Sequence, residues 1–291
     1  MPLQQTIFGL IELGRPLEWS KSLSNMVIGV LTAAMIYGIQ PDFFVFLNAF
    51  ASLALLWSGL YALNDFTDWK QDAEHEVKKD RPVPSGRVKP LTAMVFSLIL
   101  VIVSGIIAVG INSLVVFSWI AMLLNQFFYT MKPFELKKKP LVDLVSGSLV
   151  NPVFRFYYGW LLLVPAFNAP LVVLLFILGI QFGGYGLYRV MSKWFEKKMN
   201  TKSSVVFFGE KNIKRLFYLA IGTGIVSYFI ASLTIWKISY FWLGIISLIA
   251  LPLYHKALKE PEKADMKKMY RAIYFHNLLF VVGFVLVYLF F

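Results

Sequence analysis

Nine stretches of this chain are each apolar over the length that a bilayer-crossing helix needs, and little sequence is left between them. A helix needs roughly 17–25 apolar residues to cross the hydrocarbon core. Candidate spans lie near 17–37, 42–66, 91–110, 113–130, 141–163, 168–190, 214–235, 238–254 and 270–290. Inside lipid a backbone must satisfy its own N–H and C=O groups, which an apolar run of this length does by forming a helix. The expected fold is all-α, a polytopic membrane protein of nine transmembrane helices. No linker or low-complexity stretch divides it, so residues 1–291 read as a single integral-membrane domain.

Composition removes the main competing classes. Of 291 residues, 58% are hydrophobic, which excludes an ordinary soluble domain. The net charge of +12 would suit nucleic acid, but the basic residues sit in short loops between apolar runs rather than on one soluble face. No nucleic-acid partner is expected, and the lipid bilayer is. There is no cysteine, so neither a disulfide framework nor a thiolate site is available.

The basic residues also set an orientation. All of the 28 lysines and arginines except Arg155 and Lys237 fall on one side of a nine-span arrangement. Cytoplasmic loops carry the Lys/Arg excess. The N-terminus and the long loops are therefore expected in the cytoplasm and the C-terminus outside, in the cell membrane. The outward loops, near Ile39–Pro41, Gly110–Asn112, Pro165–Ala169 and Trp236–Ser239, are short, so chemistry belongs to the cytoplasmic face. The opening residues lack a basic n-region and carry Glu12 within the apolar run, which argues against a signal peptide. They suit a short amphipathic helix on the membrane surface.

The most charged stretch, NDFTDWKQDAEHEVKKDRPVPSGR from Asn64 to Arg87, follows directly on the second apolar run. At about 100° per residue, with Asn64 at zero, Asp68 falls near 40°, Asp72 near 80° and Asp65 near 100°. One amide and three carboxylates thus gather on one side of a helix end. Like charges that close are unfavourable unless something positive lies among them. Hard oxygen ligands of this kind suit Mg²⁺, which usually takes one or two carboxylates, several waters and substrate phosphates. The alternative is a solvated helix end with ordinary surface charge; the membrane setting and the basic loop behind it favour a site.

The pattern N-D-x-x-D-x-x-x-D followed by R-P-x-x-S-G-R resembles the first signature of the UbiA superfamily of intramembrane prenyltransferases. A second stretch, Tyr129 to Asp143, resembles that family's Y-S-x-x-P-x-R-L-K-x-x-P-x-x-D, with Thr130 in place of Ser and Glu135 in place of a base. The family's second signature, approximately D-x-x-x-D, should follow the sixth span. Counting back from Gly209 places Ser192 and Glu196 at its two aspartate positions, so one negative charge is missing. A carboxylate at 4 Å is worth about 4 kcal/mol per charge pair at an effective dielectric of 20, so a second Mg²⁺ is expected to be weakened.

The resemblance implies a helical bundle around a central cavity and Mg²⁺ as cofactor. It implies Asn64, Asp65, Asp68, Asp72 and Glu196 as metal ligands, and Asp68, Asp72, Lys137 and Tyr129 as catalytic residues. Diphosphate binding falls to Asn64, Lys79, Arg81, Arg87, Arg155, Lys193 and Lys202. Arg155, inside the fifth span, either holds diphosphate or pairs with Asp143 or a carbonyl, since an unpaired charge there is costly. The implied activity transfers a polyprenyl group from an isoprenoid diphosphate donor to a lipophilic acceptor within the membrane, through departure of diphosphate and an allylic carbocation. The alternatives are changed chemistry on the same site (terpenoid cyclase, carotenoid elongase or sugar-phosphate transferase) or a degenerate lipid-binding homologue.

Two further features bear on the site. The second and sixth spans each end in a polar cluster and a basic loop, so two such ends are expected to face each other across the bundle. Gly179 and Gly183 form a small-x-x-x-small pair suited to close helix packing. His75, His255 and His276 are scattered and make no metal-ligand set, whereas Tyr61, Phe128 and Tyr158 are candidates to line a cavity.

Overall fold

The structure is a computed structural model that describes residues 3–75, 78–198, 201–261 and 265–291. Its described residues form helices and no strand. A surface helix, α1 (Leu3–Leu13), leads into α2 (Trp19–Tyr37), α3 (Phe43–Asp72), α4 (Pro90–Val109) and α5 (Ser113–Thr130). A short α6 (Val142–Val145), a π-helical turn and α7 (Asn151–Trp160) make up the next crossing segment. Then come α8 (Leu171–Lys198), the short α9 (Ser204–Phe208), α10 (Glu210–Thr234), α11 (Ser239–Ser247), α12 (Leu251–Lys259) and α13 (Met266–Phe290). Every expected span therefore coincides with helix.

Seven described helical stretches are long and apolar enough to cross a membrane: α3, α4, α5, α8, α10, α11–α12 taken together, and α13. The two that fall short are α2 and the 141–163 segment, and the reason is where they sit. In α2 residues 24–34 are all buried, and in α7 so are Asn151, Pro152 and every residue from Arg155 to Trp160. A helix wrapped by other helices meets little lipid, so Ser20, Lys21, Ser22, Ser24 and Asn25 are tolerated in its first turns. The outer helices carry the hydropathy instead, as exposed Leu98, Ile102 and Ile106 on α4 illustrate.

α2 and α7 meet backbone to backbone. A Cβ on Gly29 would lie 2.2 Å from the Phe156 carbonyl, and one on Gly159 would lie 2.0 Å from that of Met26. Gly179 makes the same kind of approach between α8 and α10, where a Cβ would lie 2.4 Å from the Ala220 carbonyl. Close approach of small residues replaces the hydrophobic drive that lipid removes. Above these contacts Trp57, Phe156, Tyr158, Trp160, Phe176, Trp236, Tyr240 and Phe284 fill one contiguous core.

A cavity of about 240 Å³ lies between α2, α8, α10, α11–α12 and α13. Its wall is mostly apolar, with Ile28, Phe176, Ile180 and Phe280 beside the hydrogen-bonded pair Asn25 and Gln181 at 2.7 Å.

Candidate active site

The last two turns of α3 carry the acidic stretch, and they divide it in two. Asp65 and Asp72, seven residues apart, share one buried face; they are 1% and 2% exposed. Asn64 and Asp68 lie on the adjoining, half-buried face. The helical angles gathered all four on one side of the helix end; the structure splits that side into a buried pair and a half-buried pair.

Cations close over the buried pair. The loop after α3 folds back so that Arg81 Nη1 donates to Asp72 at 2.8 Å and to Asp65 at 3.3 Å. Lys78 Nζ reaches Asp72 at 3.2 Å, and Arg15 donates to Asp65 from the turn after α1. Burial pulls the Lys78 ammonium down, but Tyr188 and Asp72 outweigh it and leave the group above its usual value. Burial, with Lys78 beside it, holds the His75 imidazole down to about 4.

The half-buried pair faces α5 and the loop that follows. Thr130 Oγ1 donates to Asn64 Oδ1 at 3.0 Å and lies 2.8 Å from Thr67 Oγ1. Lys137 Nζ pairs with Asp68 and also donates to Thr130 at 3.2 Å. Lys137 is thus brought to the acidic helix end across 69 residues of sequence, as the Tyr129–Asp143 resemblance implies.

The other half of the site is built by α8. Arg189 donates to Glu196 at 2.7 Å and to Asp143, which is fully buried. Ser204 donates to Asp143 through both its hydroxyl and its backbone N–H, and Ser203 caps Glu196. Burial pushes the Glu196 carboxyl up against the pull of Arg189 and Ser203. The halves do face each other. Arg189 Nη2 donates to the Lys137 carbonyl at 3.3 Å, and Lys78 acts electrostatically on both Tyr188 and Glu196. Tyr129 joins this side, its hydroxyl 3.0 Å from that of Tyr185, which in turn donates to the Asp143 carbonyl at 3.4 Å.

Several expected residues stand elsewhere. Arg87 pairs with Glu12 of α1 at 2.5 Å and donates to the Asp80 carbonyl, which ties the surface helix to the loop rather than facing the acids. Lys79 and Lys202 are exposed. Lys193 pairs with Glu210 at 2.9 Å. Arg155 meets neither Asp143 nor the acidic stretch: its guanidinium lies 3.6 Å from the centroid of the Trp57 ring. Tyr158 donates or accepts at Ser52 at 2.7 Å, deep in the core, and Phe128 packs edge-on against Phe134. Tyr61 alone of the three aromatic candidates meets cations, lying under Arg15 and Lys21.

Sequence reasoning missed Arg189, and it missed the group Arg15, Glu18 and Lys21. Glu18 receives Lys21 at 2.7 Å and Arg15 at 3.7 Å. In one dimension each of these bases reads as one more positive-inside charge. Only Arg189's place at the end of an apolar run, like that of Arg155, carried a signal.

No group of three His, Cys, Asp or Glu side chains among the described residues is arranged to hold a metal by itself. Asn64 Oδ1 and Asp68 still fit Mg²⁺ in the way that ion is commonly bound, through one carboxylate, a neutral oxygen, waters and substrate phosphate. Asp143 and Glu196 fit it less well: each accepts on both carboxylate oxygens, from Arg189 and from Ser204 or Ser203, whereas the bonds to Asp68 among the described residues fall on Oδ1.

The UbiA prenyltransferase family model matches residues 25–289. A digeranylgeranylglyceryl phosphate synthase of Methanopyrus kandleri is 32% identical over 150 residues, covering 50% of this chain and 51% of the relative. The chain thus spans about half the length of the first curated relatives it matches. A 4-hydroxybenzoate octaprenyltransferase of Aeromonas salmonicida is 25% identical over 256 residues, covering 87% and 86%. A UbiA homolog from Archaeoglobus fulgidus, solved with GPP and Mg²⁺, superposes with a TM-score of 0.76 at 18% identity, covering 95% of this chain and 98% of that one.

Proposed function

We infer that this chain, which belongs to the UbiA prenyltransferase family, moves a polyprenyl group from an isoprenoid diphosphate to a lipophilic acceptor inside the membrane. The observation that carries the reading is the end of α3. There a half-buried amide and carboxylate, Asn64 and Asp68, stand beside Lys137, with Lys78 and Arg81 on the adjoining face. That is an oxygen-rich edge for a divalent ion ringed by cations for a polyanion. The relative solved with GPP and Mg²⁺ lends support.

Mg²⁺ held at Asn64 and Asp68 would supply Lewis-acid charge to the diphosphate oxygens. Lys137, Lys78 and Arg81 orient the diphosphate and neutralise the charge that grows on it as the allylic C–O bond breaks. Diphosphate leaves with the bonding pair, the acceptor's nucleophilic atom attacks the allylic carbon, and its proton passes to a base. The prenyl tail lies among the helices, where the cavity beside α2 and α8 offers an apolar wall. Each buried CH₂ there contributes about 0.8 kcal/mol. Tyr129 and Tyr185 close the roof over Asp143 and help to keep water from the cation.

With nine crossings, the acidic end of α3 and the loops after α5 and α8 share the cytoplasmic side with the N-terminus. The test is product analysis. Purified protein given labelled geranyl diphosphate and a lipid extract should yield a labelled lipid in Mg²⁺ and none in EDTA. Labelled free alcohol or a cyclised terpene as the main product would contradict transfer.

A further inference from the structure

Two buried donors on α8 have nothing to donate to among the described residues. Arg189 and Ser192 are three residues apart, hence on one face of the helix, and are 5% and 4% exposed. Among the described residues neither Arg189 Nε nor Ser192 Oγ has a hydrogen-bond partner. The remaining nitrogens of Arg189 are fixed, Nη1 on Glu196 at 2.7 Å, Nη2 on Asp143 and on the Lys137 carbonyl at 3.3 Å. The guanidinium is therefore locked in place with one buried donor, Nε, unpaired. Buried polar groups in proteins are ordinarily satisfied, so the missing partner here is an acceptor. A guanidinium carries only donors and keeps its charge, so it cannot ligate a metal.

Charge leads to the same place. Against the D-x-x-x-D pattern, Ser192 removes one negative charge, and Arg189 offsets part of the charge of Asp143 and Glu196, the two carboxylates it bridges. The carboxylates that remain, Asp143 and Glu196, are held by Arg189, Ser203 and Ser204. This half of the site offers unpaired donors to an acceptor, and its carboxylates are already bonded on both oxygens.

We propose that Arg189 and Ser192 form a metal-free phosphate subsite. The donor's diphosphate is gripped through a metal at Asn64 and Asp68 on one side and directly by Arg189 Nε and Ser192 Oγ on the other, so the chain works with a single divalent ion. Lys137 couples the two grips, with its ammonium on Asp68 and its carbonyl on Arg189. The inference rests on the functional reading given above.

Mn²⁺ bound by purified protein in the presence of inorganic diphosphate, counted by EPR of the free ion, tests it without turnover. One Mn²⁺ per chain is expected. Two per chain would overturn the subsite and leave the functional reading standing, whereas no diphosphate-dependent Mn²⁺ binding would remove both. Ser192→Ala should weaken inorganic diphosphate binding about 10-fold, the size of one hydrogen bond to a charged group, with the Mn²⁺ count still at one. Unchanged affinity in that variant would overturn the proposal. Arg189→Lys, which keeps the charge but loses the fork, should fall between Ser192→Ala and Arg189→Gln; equal loss in both arginine variants would contradict a charge-based role.

Discussion

At the scale of single residues, legibility followed whether a side chain acts through its own helix or through a distant one. Asn64, Asp65, Asp68 and Asp72 are related by helical angle alone, so their grouping could be read directly, whereas its division into a buried and a half-buried pair depends on what packs against the helix. Lys137 was found only because a recognisable pattern surrounds it. Arg189 was not found, because its meaning comes largely from Asp143, 46 residues away in the chain, which it bonds together with Glu196 two turns along its own helix. Arg87 and Lys193 sit in basic stretches near the site, yet each is held by a surface acid that pattern alone could not assign to it. Asp143 carries the sharpest prediction here. It is fully buried and compensates Arg189, so Asp143→Asn leaves a buried guanidinium short of charge. Removing one partner of a buried pair costs about 3–5 kcal/mol. The variant should melt well below the parent in detergent, and an unchanged melting temperature would show that the pair does not support the fold.

At the scale of elements, apolar run length located helices at every expected position, since lipid imposes one secondary structure on such runs. It was weaker for the inner helices. α2 falls short as a membrane span by composition, and the segment from Val142 to Trp160 is broken by a π turn at Ser146–Val150. Asn125 stabilises that break by donating to the Ser146 carbonyl and to Asn151 Oδ1, each at 2.9 Å. No single-segment pattern reports such a bond, because its partner lies on α5. The Gly29 and Gly159 contact is also invisible in one dimension. Gly29→Ala would place a methyl 2.2 Å from a backbone carbonyl, and neither chain can yield without moving its helix. Overpacking of this kind costs about 1–3 kcal/mol. Thermal melting should show Gly29→Ala destabilised by that order, while Gly222→Ala, which meets nothing within 4 Å, should match the parent. Equal stability of the two variants would refute the close helix contact.

At the scale of the whole molecule, the account joins a polar head of the bundle to an apolar body. The acids of α3, the bases of the loops and the buried pair on α8 lie together at one end, and the cavity between α2 and α8–α13 lies in the body. The proposed reaction calls for both parts, since its donor is lipid-soluble with a charged head. Orientation is open to a direct check, since the chain has no cysteine of its own. A membrane-impermeant thiol reagent applied to intact cells should label Lys237→Cys and spare Lys138→Cys; the reverse pattern would invert the topology and place the site outside. The claim on which everything else depends is that the edge formed by Asn64 and Asp68 holds a divalent ion that in turn holds diphosphate. Retention of labelled geranyl diphosphate by purified protein in detergent, with Mg²⁺ or with EDTA, measures it most directly. The parent should retain the label only in Mg²⁺, and Asp68→Asn should lose retention by at least about 10-fold, the lower end of what even outer-shell metal contacts contribute. Retention that survives EDTA, or that Asp68→Asn leaves unchanged, would contradict the account.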